Sequence, residues 1–206
     1  NEDAQYAHEV YALGLAQNDQ YYFIPCTALE DKEVVLTWPD VIAAFDPLWS
    51  DSLQQWTLWQ SKLLVRSLAL HNRSIVGQIV DVMLLGYIKH GPSMQKLSQL
   101  AYADVDCVIP AREALFGQGA KLRPWASIAL AESEKHITAE LDALTKIDQY
   151  YQSQKNNKSE LWSLYQDIDR PLMFVLAGME NTGVGIGADV LAEQSSEIAS
   201  RIEALE

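Results

Sequence analysis

The chain has 206 residues, with 28 Asp and Glu against 15 Lys and Arg, for a formal net charge of -13. That length holds one large or two small domains. The charge excludes a module that grips nucleic acid by its own electrostatics, which would need Lys and Arg to displace counterions from phosphates. No apolar run reaches the about 18 residues of a membrane span, and no basic-then-apolar leader opens the sequence, so a soluble, cytoplasmic protein is expected.

In chain order, the β-prone runs at 10–16 and 21–25 flank Asn18-Asp19 and predict a hairpin. Pro39 and Asp40 mark a helix start, and one short helix is expected up to about Pro47. "QQWTLWQ" reads as a further strand. From Ser61 the pattern turns helical: "SKLLVRSLALHN" places Leu64, Leu68 and Leu70 near one face, and "VDVMLLGYIKHGP" closes on the stop signal Gly91-Pro92. "SMQKLSQLAYA" predicts a short amphipathic helix. Residues 123–154 predict one or two long helices, with Pro124 suited to a first turn. "QKNNKSE" is a polar linker whose Ser159 would cap the next helix. Leu191, Ser195, Ile198, Ile202 and Leu205 form a narrow stripe along the last helix. Early strands followed by a helix-rich remainder predict an α/β domain with a helical extension.

Few residues suggest chemistry. Cys26 and Cys107 are far apart, without CxxC or Cys/His spacing, and read as two free, buried thiols. His8, His71, His90 and His136 form no HExxH or His/Cys cluster and read as surface or loop histidines. The acidic runs "ALEDKEV" and "LAESEK" read as solvated surface rather than as carboxylates converging on paired metals. "FGQGAK" lacks the GxxxxGK[ST] spacing of a phosphate loop and reads as a helix-ending turn. No GxSxG elbow is present. The six tryptophans, without a basic groove, read as core rather than as base-stacking platforms.

The stretch "RPLMFVLAGMENTGVGI", residues 170–186, carries a more specific signal. With its flanks it resembles the junction of bacterial family A DNA polymerases, where the 3′–5′ exonuclease-like domain meets the polymerase thumb. The family pattern there is approximately E-x-P-L-x-x-V-L-x-x-M-E-x-x-G-V-x-I-D. Pro171, Leu172, Val175, Leu176, Met179, Glu180, Gly183, Val184 and Ile186 match it, and Gly187 departs from the usual Asp. Upstream, "YALGLAQNDQYYFIP" is similar to the second and third strands of that domain. "SIVGQIVDVMLLGYIKHGP" resembles the family's Phe-Asp helix start, with Asp81 matching, and "ALFGQGAK" resembles a Gly-Lys-rich loop.

The resemblance implies a ribonuclease-H-like 3′–5′ exonuclease domain over residues 1–155, its first strand missing, and a helical junction with the start of the thumb over 156–206. Active family members cut a 3′ end with two metals held by a D-x-E pair, a middle Asp and a Y-x-x-x-D set. Alignment places Leu64 at or near the middle Asp, and Ser133 and Ile137 near the Tyr and Asp; the D-x-E pair falls at or before Asn1. Apolar residues cannot ligate a hard cation. A degenerate exonuclease domain that scaffolds the polymerase in replication and repair is therefore expected, with no catalytic, cofactor-binding or metal residues of its own. Mg²⁺ is expected only in the parent polymerase domain, and DNA contact only through that parent, with Lys121 and Arg123 the most basic local pair.

Two alternatives stand beside this. One is an active nuclease using Asp81, Glu132 or Glu134; the other is an interaction module pairing through the 191–205 stripe. The junction helix is expected to pack through Leu172, Val175, Leu176 and Met179, with Gly183 turning into a short strand and Glu180 fixing that turn or meeting the polymerase body. Because the missing first strand is central in such sheets, either upstream residues supply it or residues 10–16 take a more central place.

Overall fold

A computed structural model describes residues 10–31, 36–92, 96–155, 159–185 and 187–205. His8 lies outside them. Strands β1 (Ala12–Gln17) and β2 (Gln20–Pro25) form the expected antiparallel hairpin, with Gln17 opposite Gln20. Asn18 and Asp19 both take left-handed backbone angles, φ 51° and 60°. That is the two-residue turn whose twist matches a hairpin, and Asn and Asp tolerate it better than most side chains.

Helix α1 (Trp38–Ala44) begins on a capping box between Thr37 and Asp40, with Pro39 in its first turn. The single helix expected here is two, because α2 (Asp46–Trp49) restarts after Phe45 with Pro47 in its own first turn. Proline fits an opening turn, where its missing N–H costs nothing, and breaks a continuing one.

Strand β3 (Gln55–Leu58), helix α3 (Ser61–Leu70) and strand β4 (Gln78–Asp81) make a β-α-β unit, with Leu58 paired in parallel to Asp81. Sequence reading missed β4, whose Ile79-Val80 run straight into the apolar helix α4 (Val82–His90). Gly77 allows the chain to reach β4: a Cβ there would lie 2.1 Å from the Gln54 carbonyl oxygen.

The rest is helical: α5 (Leu97–Val105), α6 (Arg112–Phe116), α7 (Leu130–Gln154), α8 (Ser159–Leu164), α9 (Arg170–Thr182) and α10 (Ala188–Glu203). Gly117, φ 74°, ends α6 as the turn expected of "FGQGAK". Pro124 precedes a single 3-10 turn at Trp125–Ser127 rather than opening α7. One π turn, Tyr165–Asp169, joins α8 to α9. The chain is thus mixed α/β and mostly helical, and no helix among the described residues is long and apolar enough to cross a membrane.

Two apolar cores hold these elements. In the first, Cys26, Trp38, Val41, Ile42, Trp49, Trp56, Leu68 and Ile79 are buried, with Leu13, Leu15, Ile24 and Leu64 packed against them. Trp49 stacks on Trp56 with ring centroids 4.7 Å apart, so these tryptophans are core, as expected. In the second, Val80, Val82, Leu85 and Leu100 meet Ala143, Ile147 and Tyr151 of α7, together with Trp162 and Tyr165. Residues from the stretch assigned to the helical junction are therefore buried in the same core as β4.

Three packing expectations are corrected. Helix α9 buries Met173 and Ala177, whereas Leu172, Val175, Leu176 and Met179 face outward, Met179 with 62% of its surface exposed. Leu70 is likewise exposed, and only Leu68 of the α3 trio is fully buried. Gly183, φ 73°, ends α9 as expected, but residues 183–185 are not strand, and Ile186 lies outside the described residues.

Candidate functional site

Asp81 closes β4 and is 1% exposed. Its Oδ2 accepts hydrogen bonds from the Ser61 backbone N–H at 2.7 Å and from Ser61 Oγ at 2.5 Å. Its Oδ1 accepts from the backbone N–H groups of Met83 and Leu84, at 2.9 and 3.2 Å. One carboxylate therefore caps two helices, α3 through Ser61 and α4 through Met83 and Leu84, where unsatisfied N–H groups and the helix dipoles favour negative charge. A carboxylate offers about four lone-pair sites, and all four are used.

Tyr165 completes this centre. Its hydroxyl accepts from the Asp81 backbone N–H at 2.8 Å and donates to the Ile79 carbonyl at 2.9 Å. Burial pushes the Tyr165 phenol up to about 12, and the neighbouring Asp81 charge adds to the shift. It thus remains a neutral donor in the ordinary pH range, bolting the π turn between α8 and α9 onto β4.

The other positions marked by the sequence are dispersed. Leu64 lies on α3, half-buried in the first core. Ser133 is buried on α7, its hydroxyl without a hydrogen-bond partner. Ile137 packs against Gly14 of β1. Glu132 and Glu134 flank Ser133 on the exposed side of α7, with Glu132 3.3 Å from Arg123. Arg123 also donates to the Ser127 carbonyl at 2.8 Å, and Lys121 is exposed. Among the described residues no three His, Cys, Asp or Glu side chains are grouped to share a metal ion.

Two clusters escaped the sequence reading. Asp104, its side chain fully buried, accepts from Lys89, from Tyr151 at 2.7 Å and, at 2.7 Å, from His90. Burial alone would raise the Asp104 carboxyl, but the bonds from Lys89, Tyr151 and His90 outweigh it and hold it below the usual range. The histidines are not uniformly superficial: His90 is in this cluster and His136 is only 6% exposed, its Nε2 3.3 Å from Glu140 outside hydrogen-bond geometry. Burial in α7 wins because 133, 136, 143, 147 and 151 share its inward face. Both cysteines are free; Cys26 is buried, which pushes its thiol up to about 11, and Cys107 is only half-buried.

The second cluster joins α9 to α3. Glu180 pairs with Lys62 at 2.5 Å and with Arg66 at 2.7 Å. Asn181 accepts from Arg66 Nε at 3.1 Å and donates to the Arg66 carbonyl at 3.2 Å. The hydrogen bond from Lys62, with the two positive charges, holds the Glu180 carboxyl below its ordinary value. Glu180 therefore fastens α9 to the α/β layer rather than bonding to the turn that follows it.

These features define a class: a mixed α/β unit with a β-α-β element, a helical extension fastened to it, and buried carboxylates, Asp81 and Asp104, used as joints between elements. No family model matches the chain. It is similar to bacterial DNA polymerase I. With that of Bacillus subtilis it is 24% identical over 202 residues, covering 97% of this chain and 21% of that protein. With that of Geobacillus stearothermophilus it is 24% identical over 204 residues, 97% of this chain and 22% of the relative, and with that of Chloroflexus aurantiacus 24% identical over 165 residues, 79% and 17%. The resemblance first carried by residues 170–186 thus extends over nearly the whole chain, which spans about a fifth of the length of these relatives.

Proposed function

We propose that this chain is a section of a bacterial DNA polymerase I, comprising a ribonuclease-H-like exonuclease domain over about residues 1–155 and the junction to the thumb over 156–206, and that it scaffolds the polymerase without cutting DNA. The observation that carries the reading is the state of Asp81. It is the residue that matches the family's helix-start Asp, and Ser61, Met83 and Leu84 occupy its lone pairs. A hard cation demands open oxygen ligands. Leu64 and Ile137, at or near two further family positions, are hydrocarbon. A carboxylate spent on two helix caps supports architecture, and architecture needs core residues rather than metal ligands.

Contact with DNA would come through the parent polymerase, since a net charge of -13 repels phosphate. The competing reading, a nuclease using Glu132 or Glu134 with Asp81, is separable by metal titration of thermal stability, because a ligand that binds only the folded state raises its melting temperature. The scaffold reading expects the same melting temperature with Mn²⁺ or Mg²⁺ as with chelator. A saturable rise that Glu132→Gln and Glu134→Gln remove would establish the nuclease reading instead.

A further inference from the structure

Residues 159–182 form one helical run with a fault inside it. The π turn Tyr165–Asp169 separates α8 from α9, yet Leu164 before it and Arg170 after it both keep right-handed helical backbone. Pro171 follows at once. It has no N–H to return to the carbonyl of the preceding turn, so the hydrogen-bond ladder is weakest here. Such π turns within helices recur at functional sites. The two arms on either side of the fault are held by different means. Trp162 and Tyr165 anchor the near arm in the second core, and the Tyr165 hydroxyl adds its two bonds to β4. The far arm, α9, lies along α3 and buries only Met173 and Ala177 of its 13 residues. Ile168 and Leu172, beside the fault, are exposed. At the distal end the hold is polar: Glu180 on Lys62 and Arg66, and Asn181 on Arg66. The Lys62 and Glu180 side chains are 35% and 37% exposed, so salt screens this end and leaves the Tyr165 end untouched.

We propose that α9 is a lever that pivots at the π turn, with the clasp of Glu180 on Lys62 and Arg66 as the catch that holds it against α3. When the catch is released, α9 swings off α3 while α8, β4 and the second core stay folded. An arm with a firm root, two buried side chains and an exposed ionic tip opens at a lower free energy than the core unfolds. Helix α10 buries none of its residues, so it travels with α9. One ionic contact thereby sets the direction in which the helical extension leaves the α/β layer. The inference goes beyond the scaffold reading and holds whether or not the domain cuts DNA.

Thiol labelling of the 206-residue chain tests it. Met173→Cys places a thiol under the lever, Ala177→Cys repeats the measurement with less disturbance, and Cys107→Ser removes the half-buried thiol. Cys26, buried in the first core, reports unfolding of the whole. The expected result is that the thiol at 173 or 177 is labelled about 100-fold faster than Cys26 in the folded protein. Glu180→Gln, or 0.5 M salt in its place, should speed that labelling about 10-fold with the helix signal in circular dichroism unchanged. Pro171→Ala, which restores an N–H at the fault, should slow it. Labelling of the α9 thiol no faster than Cys26 would overturn the proposal, because only global unfolding would then expose it. A rate indifferent to Glu180→Gln would remove the catch, and a rate indifferent to Pro171→Ala would remove the pivot; either contradicts the lever.

Discussion

Glu180 and Arg66 are 114 residues apart in sequence, and their side chains meet at 2.7 Å. This contact, with Lys62 and Asn181 beside it, is what turns a helix at the end of the similarity motif into a part of the α/β layer. Arg66→Ala removes a charge pair and the bond from Arg66 Nε to Asn181 at once, while the main-chain carbonyl at 66 can still accept from Asn181. It should lower the melting temperature by about 2–4 °C, whereas Lys62→Ala, which leaves Arg66 in place, should lower it less. Differential scanning calorimetry at low and high salt distinguishes the two, because the exposed Lys62 arm is the more strongly screened.

The Tyr165 hydroxyl serves two backbone groups of β4 that have no water to turn to. Tyr165→Phe should cost about 1–3 kcal/mol in urea denaturation, since it leaves a buried N–H and a buried C=O without that partner. A change below a few tenths would show that β4 does not rely on this bolt.

The two sides of α9 should respond in opposite ways. Met173→Ala opens a cavity under the buried side of α9 and should cost about 2–4 kcal/mol. Leu172→Gln and Val175→Thr, on the outward side, should each stay within about 0.5 kcal/mol in this chain. Equal losses on both sides would contradict the observed burial.

Stability should fall in acid partly through Asp104. Its carboxyl is held below the unfolded value, so its contribution is full above the ordinary carboxylate range and is lost as pH drops through the depressed folded value. Lys89, raised by Asp104 and Tyr150 against the opposing effect of burial, contributes below the ordinary lysine range and loses that contribution as pH rises beyond it. In Asp104→Asn the acid limb of a plot of melting temperature against pH should flatten.

Gly77 allows no side chain, because the Gln54 carbonyl occupies the space. Gly77→Ala should cost on the order of 3 kcal/mol, and proteolysis should then begin at the 71–77 connection.

What sequence alone disclosed follows physical lines. The hairpin was legible because Asn18-Asp19 is a turn with a mechanism, and the helix stops because Gly91, Gly117 and Gly183 take positive φ. Strand β4 was not, since Ile79 and Val80 are continuous with an apolar helix and carry no period of their own. The packing face of α9 was misassigned because its most apolar stripe, 172, 175, 176 and 179, points outward; hydrophobicity ranks faces, but here Met173, Ala177 and a charged clasp decide the docking. Asp81 was visible as a motif match. Its role as a double cap was not, because Ser61 stands 20 residues away and nothing local predicts that it donates.

The most direct test is degradation of a 3′-labelled DNA strand by the intact parent protein, without nucleotides, in Mg²⁺ or Mn²⁺. The scaffold account predicts no shortening above a metal-free control, and no change on Asp81→Asn beyond lost stability. Metal-dependent shortening from the 3′ end that Glu132→Gln, Glu134→Gln or Asp81→Asn abolishes in a still-folded protein would contradict it.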